Sequence, residues 1–255
     1  MKLSINWLRD WVDIKIPVSD LAERLTMIGH EVDDIENHGD SLEGVIVGEV
    51  IALESHPDAD RLNVCKVISG DGEPATVICG APNVSVGMKT AYAVVGAKLP
   101  GGNKIRRAKI RGVVSYGMMC SADELNLGDE SDGIMDLSPE APVGMSLIDY
   151  LNMPDQSFDI DLTPNRGDCF SVQGLARDVA ALTNSEIKIT SFDSVQPKIT
   201  DECPIELDAP EACPRFVGRI IKNIDLTKES PDWMKERLRR IGLRSISAAV
   251  DITNY

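Results

Sequence analysis

The feature that most constrains the fold of this chain is a change of texture at Gly44 that reverses near Leu151. Between those points short β-rich runs are punctuated by Gly, Pro and Asn. The expected strands are Val45–Leu53, Leu62–Ser69, Thr76–Cys79, Thr90–Val95 and Lys104–Arg111. The intervening turns include Gly70-Asp71-Gly72, Ala81-Pro82-Asn83 and Leu99-Pro100-Gly101-Gly102-Asn103. Five short strands at this spacing predict a small Greek-key barrel, of which the OB-fold is one kind.

The flanks read differently. Ser19 is placed to cap a helix with Leu21, Leu25 and Ile28 on one face and Gly29 at its end, and Glu31–Glu36 reads as a strand. After residue 150, Phe158–Leu162 alternates as a strand. Thr163-Pro164-Asn165-Arg166-Gly167 then turns, and Asp168 is placed to cap a helix through Val172, Leu175, Val179 and Leu182. The expectation is an α+β multidomain chain. Residues 1–40 and 151–190 form one split α+β domain, and an OB-fold barrel at 41–150 is inserted into it. Residues 191–210 read as a linker. A third α+β unit at 211–255 opens with a strand at Pro214–Ile221, followed by a helix with Ser230 as its N-cap and Met234, Leu238 and Ile241 as its apolar stripe. Asp251–Tyr255 reads as a further strand, and the abrupt end suggests a truncated chain.

A chain of 255 residues with 43% hydrophobic content has room for two or three real cores. No run of eighteen apolar residues exists, and Arg9, Asp10 and Asp13 interrupt any signal-peptide core, so a cytoplasmic protein is expected. Six scattered cysteines with no C-x-x-C pair, beside only three histidines, do not offer zinc spacing. They suit buried small side chains in a reducing compartment.

Net charge is −15, which looks wrong for an RNA binder, but its distribution is uneven. Lys98, Lys104, Arg106, Arg107, Lys109 and Arg111 fall in an acid-free run, whereas Gly112 to Asn165 contains eleven acids and no Lys or Arg. Screening over about 8 Å lets a local basic ribbon meet phosphate on an acidic protein. Equally, such a run can solvate the exposed face of a strand.

Three blocks carry specific information. Residues 55–66, Ser-His-Pro-Asp-Ala-Asp-Arg-Leu-Asn-Val-Cys-Lys, join a turn to a strand start. Cys79-Gly80-Ala81-Pro82-Asn83-Val84 precedes Gly87-Met88, and Ser115-Tyr116-Gly117-Met118-Met119-Cys120-Ser121 comes later. In this order they resemble the EMAP II-like tRNA-binding OB module shared by several aminoacyl-tRNA synthetases and free-standing tRNA-binding proteins. The resemblance widens to the bacterial phenylalanyl-tRNA synthetase β subunit. It is carried by Trp7-Leu8-Arg9-Asp10-Trp11-Val12, Gly29-His30-Glu31-Val32-Asp33, Thr163–Cys169, Arg215–Arg219, Leu238–Ile246 and Asp251–Tyr255.

That resemblance implies a β subunit much longer than this chain, paired with a catalytic α subunit as α2β2, joining phenylalanine to tRNA(Phe) with ATP and Mg2+. Adenylate formation and transfer belong to α. The third unit would be the start of an editing-like domain whose pocket lies beyond Tyr255. No catalytic residue, metal ligand or cofactor is therefore assigned to this stretch. The expected tRNA contacts are Lys66, Lys98, Lys104, Arg106, Lys109 and Arg111. Lys104/Arg106 and Lys109/Arg111 would form same-face pairs along one strand. His56 is open to two roles, touching RNA or orienting its turn. Pro57, Asp58, Asp60, Asn83, Gly87, Ser115, Gly117, Met118, Cys120 and Ser121 are motif positions; of these Ser115, Cys120 and Ser121 are expected to fix a tight loop. With only Tyr92, Tyr116 and Tyr150 as barrel aromatics, shape and phosphate recognition is expected over base stacking. The alternatives are an autonomous tRNA-binding or chaperone module, or a scaffold whose barrel barely touches RNA. Gly112–Gly117 misses the G-x-S-x-G spacing and no Walker-type run occurs. The clusters Asp123-Glu124 and Asp129-Glu130-Ser131-Asp132 lack a calcium-loop pattern.

Overall fold

The computed structural model describes residues 1–39, 42–70, 72–128, 131–189 and 191–255. The Gly70-Asp71-Gly72 turn is thus only partly covered, and Asp129-Glu130 lies outside the described residues.

The chain starts with β1 (Lys2–Ser4), α1 (Ile5–Arg9), α2 (Val18–Met27) and β2 (His30–His38). Ser4 caps α1 by accepting the Trp7 N–H, which satisfies one of the orphan donors of a very short helix. Leu21 and Leu25 bury as their spacing predicts, whereas Ile28 stays exposed past the helix end, where Gly29 (φ 97°) turns the chain. Pro17, not Ser19, holds the N-cap position of α2, because its fixed φ suits the entry to a helix.

At His38 the chain leaves this unit, and it returns at Asp155. There β10 (Asp155–Leu162) runs antiparallel to β2 from Asp155↔His38 to Leu162↔His30, and to β1 on its other side. The sheet order is β1-β10-β2, so its central strand comes from beyond the barrel. A core of Leu3, Ile5, Leu8, Leu21, Leu25, Phe158, Ile160, Leu175 and Val179 packs this sheet against its helices, among them α4 (Val172–Thr183). Ser171, not Asp168, caps α4 by accepting the Gly174 N–H at 3.0 Å; Asp168 is instead bound to Arg166.

Between these two passes lie β3 (Val45–Ser55), β4 (Asn63–Ile68), β5 (Ala75–Cys79), β6 (Lys89–Ala93), β7 (Ala108–Ile110), β8 (Val113–Ser115) and β9 (Met118–Met119), followed by α3 (Leu147–Tyr150). The five-stranded antiparallel sheet has the order β5-β4-β3-β6-β9. It curls until its ends nearly meet: the Tyr116 N–H donates to Thr76 O at 2.8 Å, and the Ile78 N–H to Ser115 Oγ at 3.1 Å. This is a nearly closed, OB-like barrel. Val50, Cys65, Val67, Val77, Tyr92 and Met119 fill one core. Val45, Val47, Ala91 and Ala93 face a second core that Cys120, Leu125, Leu127, Leu137 and Leu147 complete. Alternate residues of β6 thus serve both cores, as a period of two requires. Gly48 makes this packing possible, since a Cβ there would sit 2.8 Å from Tyr92 Cβ.

The expected strand Lys104–Arg111 is corrected. Only Ala108–Ile110 is strand, Lys104 makes an isolated bridge to Lys98, and Arg111 (φ 42°) with Gly112 (φ 94°) forms a two-residue turn into β8. Two consecutive positive φ values give the hairpin turn that matches strand twist, and they end the alternation at Ile110. The last strand of the barrel is β9.

Three further expectations fail in the last part of the chain. Pro214–Ile221 forms no strand and is almost wholly exposed. Asp251–Asn254 belongs to α6 (Ala248–Asn254), which Ser247 caps and Tyr255 follows. Pro231, not Ser230, is the N-cap of α5 (Asp232–Arg240), and the Ser230 hydroxyl donates to Asp251. Met234 and Leu238 bury, and the Arg237 guanidinium lies among the Trp7, Trp233 and Tyr255 rings.

At the end of α5, buried Arg240 pairs with buried Asp155 at 3.0 Å and donates to the carbonyls of Leu151 and Asn152. Removing one partner of a buried pair leaves the other charge stranded. Arg240→Met is therefore expected to lower stability by about 3–5 kcal/mol, read as a lower urea midpoint at unchanged m.

Candidate nucleic-acid interface

The first motif builds a turn around a buried histidine. His56 Nδ1 accepts the Asp58 N–H at 3.1 Å, which places the ring proton on Nε2, facing Ile110 O at 3.2 Å. The ring thereby ties the β3–β4 turn to the β7–β8 hairpin, and Arg111 adds a second tie through Asp58 O at 3.4 Å. Pro57, Asp58 and Asp60 lie exposed on that turn.

Asn83 behaves like a piece of backbone: its side chain donates to Ile134 O at 2.8 Å and accepts the Ile134 N–H at 3.0 Å. Gly87, at φ 87°, donates its N–H to Val50 O at 2.7 Å, beside the irregular register between Val50 and Ala52. Ser115 Oγ accepts from Ile78 N and donates to Gly117 O at 3.1 Å. Gly117 takes φ 122°, and a Cβ there would lie 2.5 Å from the Tyr92 ring. Met118 pairs with Ala93, and buried Cys120 donates its N–H to Ala91 O at 2.9 Å. Ser121 and Glu124 exchange N–H bonds reciprocally at 3.2 and 2.8 Å, a capping box that was not read from the sequence although its S-x-x-E pattern is present. The motif residues hold the barrel's turns and its closure.

The cations stand apart from this scaffold. Lys66, Lys98, Lys104, Arg106, Lys109 and Arg111 are all exposed. Lys98 and Lys104 face each other across a bridge, Lys109 and Arg111 sit on the hairpin, and Lys66 donates to Thr76 Oγ1 at 2.9 Å on the neighbouring strand. The Lys104/Arg106 and Lys109/Arg111 pairs do not share one regular strand. Among the described residues none of these six makes a salt bridge, whereas Lys2, Arg166, Lys188, Lys222, Lys235, Arg237, Arg239 and Arg240 all do. The sequence reading left Arg107 and Tyr116 out of the site. Here the Arg107 guanidinium lies 5.9 Å from the centroid of the exposed Tyr116 ring.

A second cluster lies in the α/β unit. His30 Nε2, Cys169 Sγ and a carboxylate oxygen of Asp178 come within 4.8 Å of one another and could hold a metal. Arg166 already fills that space: its guanidinium is 2.6 Å from Asp178 Oδ2 and 2.9 Å from Cys169 Sγ. Burial, with Asp178 nearby, pushes the Cys169 thiol up to about 11, and burial pushes Cys65 and Cys120 up to about 12. These are protonated, unreactive thiols at neutral pH.

Residues 45–146 match the family described as "Putative tRNA binding domain", and residues 212–255 match the "B3/4 domain". The chain thus carries a barrel of a tRNA-binding class. Over all 255 residues it is 50% identical to the phenylalanine–tRNA ligase beta subunit of Pseudomonas putida, and likewise to that of Hahella chejuensis. It is 51% identical to the one from Idiomarina loihiensis. Each match covers 100% of this chain and 32% of the relative, so the chain spans about a third of their length. Over its whole length the chain is thus homologous to about a third of the phenylalanine–tRNA ligase beta subunit. Among solved structures, the C-terminal domain of Plasmodium vivax p43 is similar at 25% identity over 39% of this chain and 56% of that one, with a TM-score of 0.29.

Burial raises the Asp178 carboxyl, but hydrogen bonds from His30 and Arg166 outweigh it and hold the group below the ordinary carboxylate range. A carboxyl lowered by folding contributes its full stability above the unfolded value of about 3.9, and that contribution fades as pH falls through the folded value. Urea titrations below about pH 4 should therefore show Asp178→Asn losing less stability with acid than the parent chain.

Proposed function

We propose that this chain is the tRNA-recognition and structural portion of a phenylalanine–tRNA ligase β subunit, working in the cytoplasm. It supports ATP-dependent charging of tRNA(Phe) on a separate α subunit within an α2β2 assembly. The observation that carries the reading is the set of unpaired, exposed cations on one barrel of a protein with net charge −15. Cations elsewhere are of both kinds: Lys2, Lys188 and Arg237 pair with carboxylates, whereas Arg9, Lys15 and Arg61 make no salt bridge among the described residues. What sets the ribbon apart is the clustering of its exposed cations in an acid-free run. Cations kept free of acids are available to phosphate.

The division into a split α+β domain (1–40 and 151–190), the barrel at 41–150, a linker at 191–210 and an editing-like start at 211–255 is part of the same proposal. It is supported by the β2–β10 pairing around the barrel and by the family matches at 45–146 and 212–255. ATP and Mg2+ belong to the complete enzyme. Among the described residues one cluster, His30–Cys169–Asp178, has the donors to ligate a metal, and the Arg166 guanidinium already binds Asp178 and Cys169 there.

Phosphate contact by Lys66, Lys98, Lys104, Arg106, Lys109 and Arg111 has a direct signature. Titration of the chain with a tRNA(Phe) transcript at several salt concentrations should give a steep log-affinity against log-salt slope. The Lys104/Arg106/Lys109/Arg111→Ala variant should flatten it by roughly 0.7–0.9 per contacted phosphate. Equal slopes for the two proteins would reject the ribbon as a docking surface. His56, buried and bound at both ring nitrogens, should act on affinity only through the turn it orients.

A further inference from the structure

We propose that Tyr116, with the Arg107 guanidinium at its ring, is a stacking platform for one unpaired nucleobase of the bound RNA. This inference rests on the reading of the barrel as an RNA-docking surface, and it adds a contact that charge alone does not supply.

The three tyrosines of the barrel region are in different situations. Tyr92 is 3% exposed and spends its hydroxyl on Tyr116 O, and Tyr150 donates to Asp232 at 2.6 Å. Tyr116 is 43% exposed, and its hydroxyl makes no hydrogen bond among the described residues. A single exposed tyrosine is ordinary, so exposure alone decides nothing. What distinguishes Tyr116 is how firmly its backbone is held. Its N–H donates to Thr76 O at 2.8 Å, its carbonyl accepts from the Tyr92 hydroxyl, and its neighbours Ser115 and Gly117 are joined by the Ser115 side chain. The Gly117 backbone packs directly against the Tyr92 ring and Ala93 O, leaving no room for a Cβ at that position. An aromatic ring on a fixed backbone gives up little entropy on binding.

One cation lies at the ring, and a second is linked to its backbone through Thr76. Arg107 lies 5.9 Å from its centroid, and Lys66 is bound to Thr76, the residue whose carbonyl holds Tyr116. A flat ring beside an exposed guanidinium matches the chemistry of a nucleotide: a base to stack and a phosphate next to it. The base must be unpaired, since bases inside an A-form helix are stacked on one another and offer no free face. The proposal adds one base contact to the expected shape and phosphate recognition; a single rigid ring is enough for a single base.

The experiment compares the parent chain with Tyr116→Phe, Tyr116→Leu and Tyr116→Ala on two probes, a tRNA(Phe) transcript and a blunt-ended RNA duplex, across a salt series. Tyr116→Phe should bind the transcript like the parent. Tyr116→Leu and Tyr116→Ala should lose roughly five- to a hundredfold in affinity with the salt slope unchanged, because stacking neutralises no phosphate. Duplex binding should not change in any variant. The aliphatic Tyr116→Leu variant keeps side-chain bulk at the surface, and matching thermal melts confirm that a loss is not unfolding. Parent-like transcript binding by both Leu and Ala variants, with the Lys104/Arg106/Lys109/Arg111→Ala variant still impaired, would overturn the stacking platform and leave the docking surface intact. An equal loss on the duplex would overturn it as well, by showing a general effect on the surface. A parent chain that binds neither probe would overturn both readings.

Discussion

Asp155 and Arg240 meet where three distant parts of the chain converge. Asp155 opens β10 at the point where the chain returns from the barrel, and its carboxylate accepts the Ser4 hydroxyl and the Asn6 N–H from the N-terminus. Arg240 approaches from α5 and also takes the carbonyls of Leu151 and Asn152, the last residues before that return. The Ser157 hydroxyl then donates to Arg240 O at 2.8 Å. A charged pair this buried is poor evidence for net stability, because desolvation offsets most of its attraction. Its value is directional. It fixes where the barrel's exit strand enters the three-stranded sheet, and so fixes how the barrel is carried.

The same convergence explains why α5 and α6 belong with the N-terminal unit in space although they lie at the other end of the sequence. Arg237 sits among Trp7, Trp233 and Tyr255, and Trp7 stacks on Tyr255 at 4.7 Å. Asp232 accepts from Tyr150 and from the Ser138 N–H at 2.8 Å, so α5 touches the barrel's last segment as well as the sheet. The exposed stretch before it, with Phe216, Val217, Ile221, Ile224 and Leu226 at its surface, makes no comparable contacts. Its β-rich composition is why the sequence reads as a strand at Pro214–Ile221. A strand needs a paired neighbour to satisfy its backbone, and among the described residues no strand pairs with it.

Much of the architecture was legible because it rests on local chemistry. Period-two alternation in β3, β4 and β6, and the i, i+4 pair Leu21–Leu25, report which face is buried. The errors cluster where one residue type has two uses. Ser230, Asp168 and Ser19 all have the chemistry of a cap, but the first binds Asp251, the second Arg166, and the third lies inside the first turn. Arg111 is not a residue that announces a left-handed turn, so Lys104–Arg111 reads as one strand until Gly112 is paired with it. Asp251–Tyr255 is rich in β-favouring side chains, yet Ser247 caps a helix there and Asp251 accepts from Ser230, Ser245 and the Ile246 N–H. Tertiary partners settle such cases, and spacing alone does not contain them.

The candidate site was legible in a different sense. Composition revealed the acid-free basic run, but the role of each motif residue emerged only from its partners. His56, Asn83, Ser115, Gly117 and Ser121 all turn out to satisfy or shape backbone, which makes the motif a device for rigidity. Rigidity has a functional consequence in an acidic protein. Long-range attraction to RNA is weak at net charge −15, so a docking surface must rely on contacts within about a Debye length. Contacts at that range reward a surface already in its binding shape, since ordering it on encounter would consume much of the available energy. On the proposed reading, the Asp155–Arg240 junction, the nearly closed barrel and the histidine-tied hairpin meet that one requirement by holding the exposed cations and the Tyr116 ring on a well-tied frame.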